Sequence, residues 1–169
     1  DHLFAAPVII DYFQKKKLQD LVVLSPDVGG VRRARAYAKR LNAPLAIVDK
    51  RRPAANEAKV VRIVGEVKGK EVLIVDDMID TGGTLIAAME VLQKEGVRAI
   101  YASCTHPVLS GNAYQEVDKS PLKELVVTDT IPLNEGKIKS KIKVLSVSSL
   151  LGEAIKRIHE NRSVSSLFV

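Results

Sequence analysis

Tryptophan is absent from this chain of 169 residues, and aromatic side chains of all kinds make up only 4% of it. A ladder of aromatic platforms for the bases of a single-stranded nucleic acid is therefore not expected. Cys104 is the one cysteine, so neither an intramolecular disulfide nor a thiolate cage for zinc can form, and a reducing, cytoplasmic setting is the expectation. Long hydrophobic runs are missing as well. The longest, residues 3–10, falls far short of the ~20 residues of a membrane span, contains Pro7 and follows Asp1 and His2. That lead-in is not the basic segment of a signal peptide, so no membrane association is expected. What remains is 46% hydrophobic and 27% charged, a composition for one globular domain, residues 1–169, large enough to bury a core.

The net charge of +6 is unevenly spread. Residues 32–62 hold ten basic side chains against two acidic ones, whereas residues 71–80 hold four carboxylates and no base. A basic lobe beside a concentrated acidic loop suits a small polyphosphate carried with a divalent metal better than a long nucleic acid backbone. For the basic residues between Arg32 and Arg40, an ordinary solvated helix face is an equal alternative.

Short runs rich in Val and Ile recur at residues 21–25 (LVVLS), 45–48 (LAIV), 72–75 (VLIV), 99–104 (AIYASC) and 125–128 (LVVT). Apolar without alternation, they read as parallel strands covered on both faces. Helical spacing appears between them at Val31, Ala34, Ala38 and Leu41, at Leu85, Ala88, Met89 and Leu92, and at Leu150, Leu151, Ala154, Ile155 and Ile158. This order predicts an α/β fold of three layers, a mostly parallel sheet flanked by helices. Residues 65–69 and 134–140 read as turns.

In such sheets ligands bind beyond the carboxyl ends of the strands, and two strand-to-helix junctions carry unusual chemistry there. The stronger is VLIVDDMIDTGGT, residues 72–84. A buried strand runs into Asp76 and Asp77, then Asp80, Thr81, Gly82, Gly83 and Thr84, and a helix follows at once. Paired glycines let the backbone approach a ligand, and a helix N-terminus favours an anion, so this loop can cradle a phosphate monoester. Adjacent carboxylates repel each other unless they accept hydrogen bonds from sugar hydroxyls or attract magnesium. A helix cap by Asp80 or Thr81 would account for one residue but not for the run. The motif resembles the phosphoribosyl-diphosphate binding motif of the type I phosphoribosyltransferase fold. It lacks the Gly-Lys-Ser/Thr of a Walker A loop.

The second junction is SPDVGG, residues 25–30. Asp27 can ligate a metal or cap a helix, and Gly29 and Gly30 let backbone N–H groups face a second anion. Alone it says little. Together with DKRRPAANE (49–57), VDDMIDTGGT, THPVLSG (105–111) and SVSSLF (163–168), it closely resembles the ribose-phosphate pyrophosphokinase family, the synthetases of phosphoribosyl diphosphate.

The resemblance implies roles residue by residue. Asp27 matches a magnesium ligand, and Asp27, Val28, Gly29 and Gly30 match the loop that holds the transferred diphosphate of ATP. Lys50 and Arg52 match the basic pair of a catalytic loop that stabilises charge on the phosphoryl oxygens. Asp76 and Asp77 match the ribose binders, and Asp80, Thr81, Gly82, Gly83 and Thr84 match the loop for the 5-phosphate. Ser163, Val164, Ser165 and Phe168 match part of a regulatory site for phosphate and ADP between subunits, with ordinary C-terminal packing as the alternative. The family also implies dimers assembled into hexamers. For an oligomer of this chain, the apolar tail and an apolar face on residues 3–10 are the expected contacts, the alternative being that both pack on the chain's own sheet and leave a monomer.

Complete members of that family have two similar domains, and the resemblance here is to the C-terminal one. The upstream Asp-Leu-His-Ala motif with the metal-binding histidine is absent. His2, His106 and His159 are accordingly given no catalytic part, and His106 is read as structural. Three functions compete. The first is the synthetase, in which ATP and ribose 5-phosphate give AMP and phosphoribosyl diphosphate. The second is a non-catalytic regulatory homologue, which would have no chemical need for Asp27, Lys50 and Arg52. The third is a phosphoribosyltransferase, which should carry a segment specific for a base.

Overall fold

Runs of Val, Leu and Ile without polar alternation become strands here because both of their faces are covered. The computed structural model describes residues 3–51, 60–134, 136 and 141–167, with the backbone alone at 50, 51, 60 and 61. The elements follow in the order α1 (Ala6–Lys16), β1 (Leu21–Ser25), α2 (Val31–Leu41), β2 (Leu45–Arg51), β3 (Val60–Val64), β4 (Glu71–Ile79), α3 (Gly83–Lys94), β5 (Ala99–Pro107), α4 (Ala113–Lys119), β6 (Leu122–Thr128), β7 (Ile142–Leu145) and α5 (Ser148–His159), with a short 3-10 turn at Ser165–Leu167. The sheet order is β3-β2-β1-β4-β5-β6-β7. Every pairing is parallel except that of β2 with β3. The expected three-layer, mostly parallel α/β fold is what forms.

Successive strand residues point to opposite faces, and this alternation divides the core. Val22, Leu24, Val72 and Ile74 join Leu85, Ala88, Met89 and Leu92 of α3 and Ala113, Tyr114 and Val117 of α4 on one face. Val23, Leu73 and Val75 join Ile9, Ile10 and Phe13 of α1 and Ala34, Tyr37 and Ala38 of α2 on the other. The helix after β1 therefore lies on one side and the helix after β4 on the other. Because β1 and β4 are neighbours, the winding of the chain reverses between them.

Three expectations change. The strands reach further than their apolar runs: β2 extends to Arg51 and β4 to Ile79, past both adjacent aspartates. The pairing with β5 continues at Asp76 opposite Cys104 and Met78 opposite His106, so ladder hydrogen bonds outweigh the low strand preference of aspartate. Residues 3–10 are mostly covered, although Phe4 stays 47% exposed. They enter α1, whose Ile9, Ile10 and Phe13 are buried on the sheet, and Glu124 of β6 holds the helix through Tyr12 Oη at 2.9 Å and Lys16 Nζ at 3.0 Å. Finally, β3, α4 and β7 were not expected at all. Helix α5 is the loosely covered one: Ala154 is its buried residue, and Leu151, Ile155 and Ile158 lie on its exposed side.

Among the described residues, no helix is long and apolar enough to cross a membrane. Cys104 is fully buried, and burial pushes its thiol up to about 12, which keeps it unreactive.

Candidate functional site

Strands β1 and β4 pair as far as Leu24 opposite Ile74, and β1 ends one residue later. Strand β4 continues alone on that side while α2 and α3 leave toward opposite faces. The result is a crevice at the carboxyl edge where the winding reverses, the place at which open α/β sheets bind ligands. The loops of both sequence junctions flank it.

On the β1 side, the buried Ser25 donates its hydroxyl to the Asp27 carbonyl at 2.7 Å, and the Gly30 N–H donates to Asp27 Oδ1 at 2.8 Å. A Cβ at Gly30 would stand 2.9 Å from Ser25 Oγ, so a side chain there would force the turn open. Val28 and Gly29 are exposed at its tip.

On the β4 side, Gly82 has φ +83° and forms the N-cap of α3, with no side chain capping the helix. A left-handed cap without a side-chain partner leaves the first N–H groups of the helix for an external acceptor. Thr81, Gly83 and Thr84 are exposed around it, so neither Asp80 nor Thr81 is spent as a cap. The loop is held from behind by a contact the sequence did not announce. Backbone N–H groups of Leu109 and Ser110 donate to the carbonyls of Ile79 and Asp80 at 3.0 and 3.1 Å. Leu109 is buried at a positive φ of 46°, an uncommon conformation for leucine. A recess of about 180 Å³ opens between the loops, lined by Pro26, Asp76 and residues 78–85 among others.

Asp76 and Asp77 meet here, and the partner that joins them is Arg33. Its Nη1 lies 2.7 Å from Asp76 Oδ1 and its Nη2 2.7 Å from Asp77 Oδ2. Asp76 Oδ1 also accepts the Asp77 N–H at 2.9 Å. Burial nevertheless pushes the Asp76 carboxyl up to about 6, outweighing the Asp77 N–H and the Arg33 charge, which pull it down. Of the basic residues in α2, Arg32, Arg35 and Lys39 form the solvated face that was one of the two expectations, while Arg33 is drawn into the site. The signal that could have found it is its position, in the first turn of the helix that follows a glycine loop.

Lys50 is described through its backbone, which pairs with Val61 at the carboxyl end of β2, two strands from β4. Arg52 and Phe168 lie outside the described residues, as do residues 135 and 137–140 of the expected turn at 134–140. Ser163, Val164 and Ser165 are not brought to the crevice. They follow α5 in a turn where Ser165 N–H and Ser163 Oγ meet at 3.2 Å, and Arg157 reaches the Ser163 carbonyl at 3.4 Å. His106, near the end of β5, has its Nδ1 3.0 Å from Oγ1 of Thr130, which follows β6.

Among the described residues, no three His, Cys, Asp or Glu side chains gather closely enough to cage a metal ion. Asp27 keeps one carboxylate oxygen beyond its Gly30 bond. That donor set fits magnesium held by one carboxylate with substrate phosphates and water, not an all-protein cage.

Comparison with known proteins gives a consistent picture. The model of the phosphoribosyl synthetase-associated domain matches residues 52–169. A ribose-phosphate pyrophosphokinase of Caldanaerobacter subterraneus subsp. tengcongensis is 57% identical over 169 residues, which cover 99% of this chain and 54% of that protein. The crystal structure of phosphoribosylpyrophosphate synthetase from Mycobacterium smegmatis superposes with a TM-score of 0.89 at 38% identity, over 95% of this chain and 52% of that one. A purine phosphoribosyltransferase from Pyrococcus horikoshii shares the fold alone, with a TM-score of 0.50 at 21% identity over 84% of each chain. The chain thus spans about half the length of the synthetases it matches. With the family model covering most of its length, the chain belongs to the phosphoribosyl synthetase-associated domain family.

Proposed function

We propose that this chain is the ribose-5-phosphate-binding half of a ribose-phosphate pyrophosphokinase, working in nucleotide biosynthesis. Its motifs resemble those of the C-terminal domain. The observation that carries the reading is one crevice with an acidic pair, Asp76 and Asp77, beside an uncapped glycine-rich helix start at residues 80–84. Carboxylates accept hydrogen bonds from sugar hydroxyls, and the helix start takes the 5-phosphate. The two halves of ribose 5-phosphate thus find complementary groups close together: Asp76 lines the recess with residues 80–84, and the exposed Asp77 is tied to Asp76 at its rim through Arg33.

In the reaction the 1-hydroxyl of ribose 5-phosphate attacks the β-phosphorus of ATP, the bond from that phosphorus to the α,β-bridging oxygen breaks, and AMP leaves. Asp27, Val28, Gly29 and Gly30 hold the transferred diphosphate, the exposed tip at Val28 and Gly29 offering backbone N–H groups to its oxygens while the Gly30 N–H braces Asp27. Lys50 and Arg52 stabilise the charge that develops on it. Magnesium, when bound at Asp27, supplies charge neutralisation on the phosphates. The remaining half supplies the rest of the ATP site. The reading includes a homo-oligomer in the cytoplasm, with phosphate or ADP as effectors at Ser163, Val164, Ser165 and Phe168. A transferase reading finds support only in a shared fold.

Gly83 gives a clean test. A Cβ built there meets nothing closer than Thr81 Oγ1 at 3.8 Å, so Gly83→Ala fits the free protein and stands where the ligand approaches the backbone. Calorimetric titration with ribose 5-phosphate should show a loss of about 1–3 kcal/mol, the value of one or two buried hydrogen bonds. Unchanged affinity in a folded variant refutes the assignment.

A further inference from the structure

We propose that Arg33 is a positioning residue for the acidic pair. Its guanidinium takes one oxygen from each of Asp76 and Asp77 and so turns the other oxygen of each toward the same ligand. The proposal rests on the reading of that pair as the ribose site.

The argument starts from strand geometry. Consecutive residues of β4 point to opposite faces of the sheet. Asp76 continues the series of Val72 and Ile74 on the α3 side, and Asp77 continues that of Leu73 and Val75 on the α2 side. Left to the pleat and to the repulsion of like charges, the two carboxylates would splay apart. Neighbouring hydroxyls on one face of a ribose need acceptors side by side. A single planar group contacts both carboxylates at 2.7 Å, and the rigid fork of guanidinium donors fixes their mutual placement.

The position of Arg33 is itself well determined. It lies in the first turn of α2, followed by Ala34, which has no exposed surface, and Tyr37, which is 3% exposed. Its guanidinium crosses from the first turn of α2 to β4, linking residues 43 apart in sequence. Gly30 keeps the path open, because a Cβ there would stand 3.4 Å from Arg33 Nη1 as well as 2.9 Å from Ser25 Oγ. Arg33 thus reaches the acidic pair past the 27–30 loop, while Arg32 and Arg35 beside it stay in solvent.

Charge neutralisation alone would need only a cation, and lysine supplies one without the fork. The test is calorimetric titration of the whole chain, as R33M and R33K, with ribose 5-phosphate and with inorganic phosphate. R33M is expected to lose at least tenfold in affinity for ribose 5-phosphate and to keep its affinity for phosphate within twofold. R33K is expected to remain at least fivefold weaker than the parent for the sugar phosphate, and it carries the test if R33M does not fold. Sugar phosphate affinity within twofold of the parent in either variant overturns the proposal. Equal losses for both ligands overturn it too, since the residue would then support the fold and not the pair. A parent chain that binds ribose 5-phosphate no better than phosphate is a separate failure: it removes the ribose site itself, and this proposal with it.

Discussion

Asp76 occupies a position that costs the fold something. Its carboxyl is raised from an ordinary 3.8 to about 6, with burial as the leading cause. A carboxyl raised on folding contributes stability that is complete below its unfolded value and is lost as pH rises through its folded value. The parent should therefore lose stability between pH ~4 and pH ~7 in a way that D76N does not, and the variant should gain relative to it over that range. Urea denaturation of both proteins at a series of pH values measures this, and identical pH dependence contradicts it. The same substitution should weaken binding of ribose 5-phosphate, because an amide replaces a charged acceptor. The acids and glycines of residues 76–84 were legible in the sequence, since a strand, an acidic run and a glycine turn are local signals. Arg33 was not. Its role depends on a contact across 43 residues, and by composition it was indistinguishable from Arg32 and Arg35.

At the scale of elements, the long apolar runs and the helices at regular spacing were legible because burial on both faces leaves an unmistakable pattern. What escaped was short or masked by polar residues. Strand β7 has four residues, α4 has seven, and β3 follows a charged segment. The two strand extensions run into charged residues, where the ladder and not side-chain preference decides. Helix α1 shows how context reassigns an apolar stretch: its face covers the sheet of its own chain and is not left for a neighbour. The face left uncovered belongs to α5, where Leu151, Ile155 and Ile158 are 47%, 68% and 61% exposed at helical spacing. An apolar stripe of this kind is what a partner surface covers in an oligomer, and we propose it, along with Phe4, as the contact to test. Ile155→Glu should lower the oligomer mass seen by light scattering while leaving the urea midpoint within about 0.5 kcal/mol of the parent, as for other exposed sites. Unchanged mass speaks against α5 as the contact.

The whole molecule is a two-edged sheet with different chemistry at each edge. At the carboxyl edge, the reversal between β1 and β4 brings together the two glycine loops, the acidic pair and Arg33. At the amino edge, an open groove of about 480 Å³ is lined by Phe13, Lys17, Asn42 and Lys70 among others, without a glycine loop or an acidic pair. The central claim is that ribose 5-phosphate binds at the first edge. Its most direct test is the backbone amide spectrum of the isotopically labelled chain during titration with ribose 5-phosphate. The account predicts perturbations concentrated at residues 76–84 and 27–30, with the amino-edge groove unmoved. Perturbations confined to that groove, or none at saturating ligand, would contradict it.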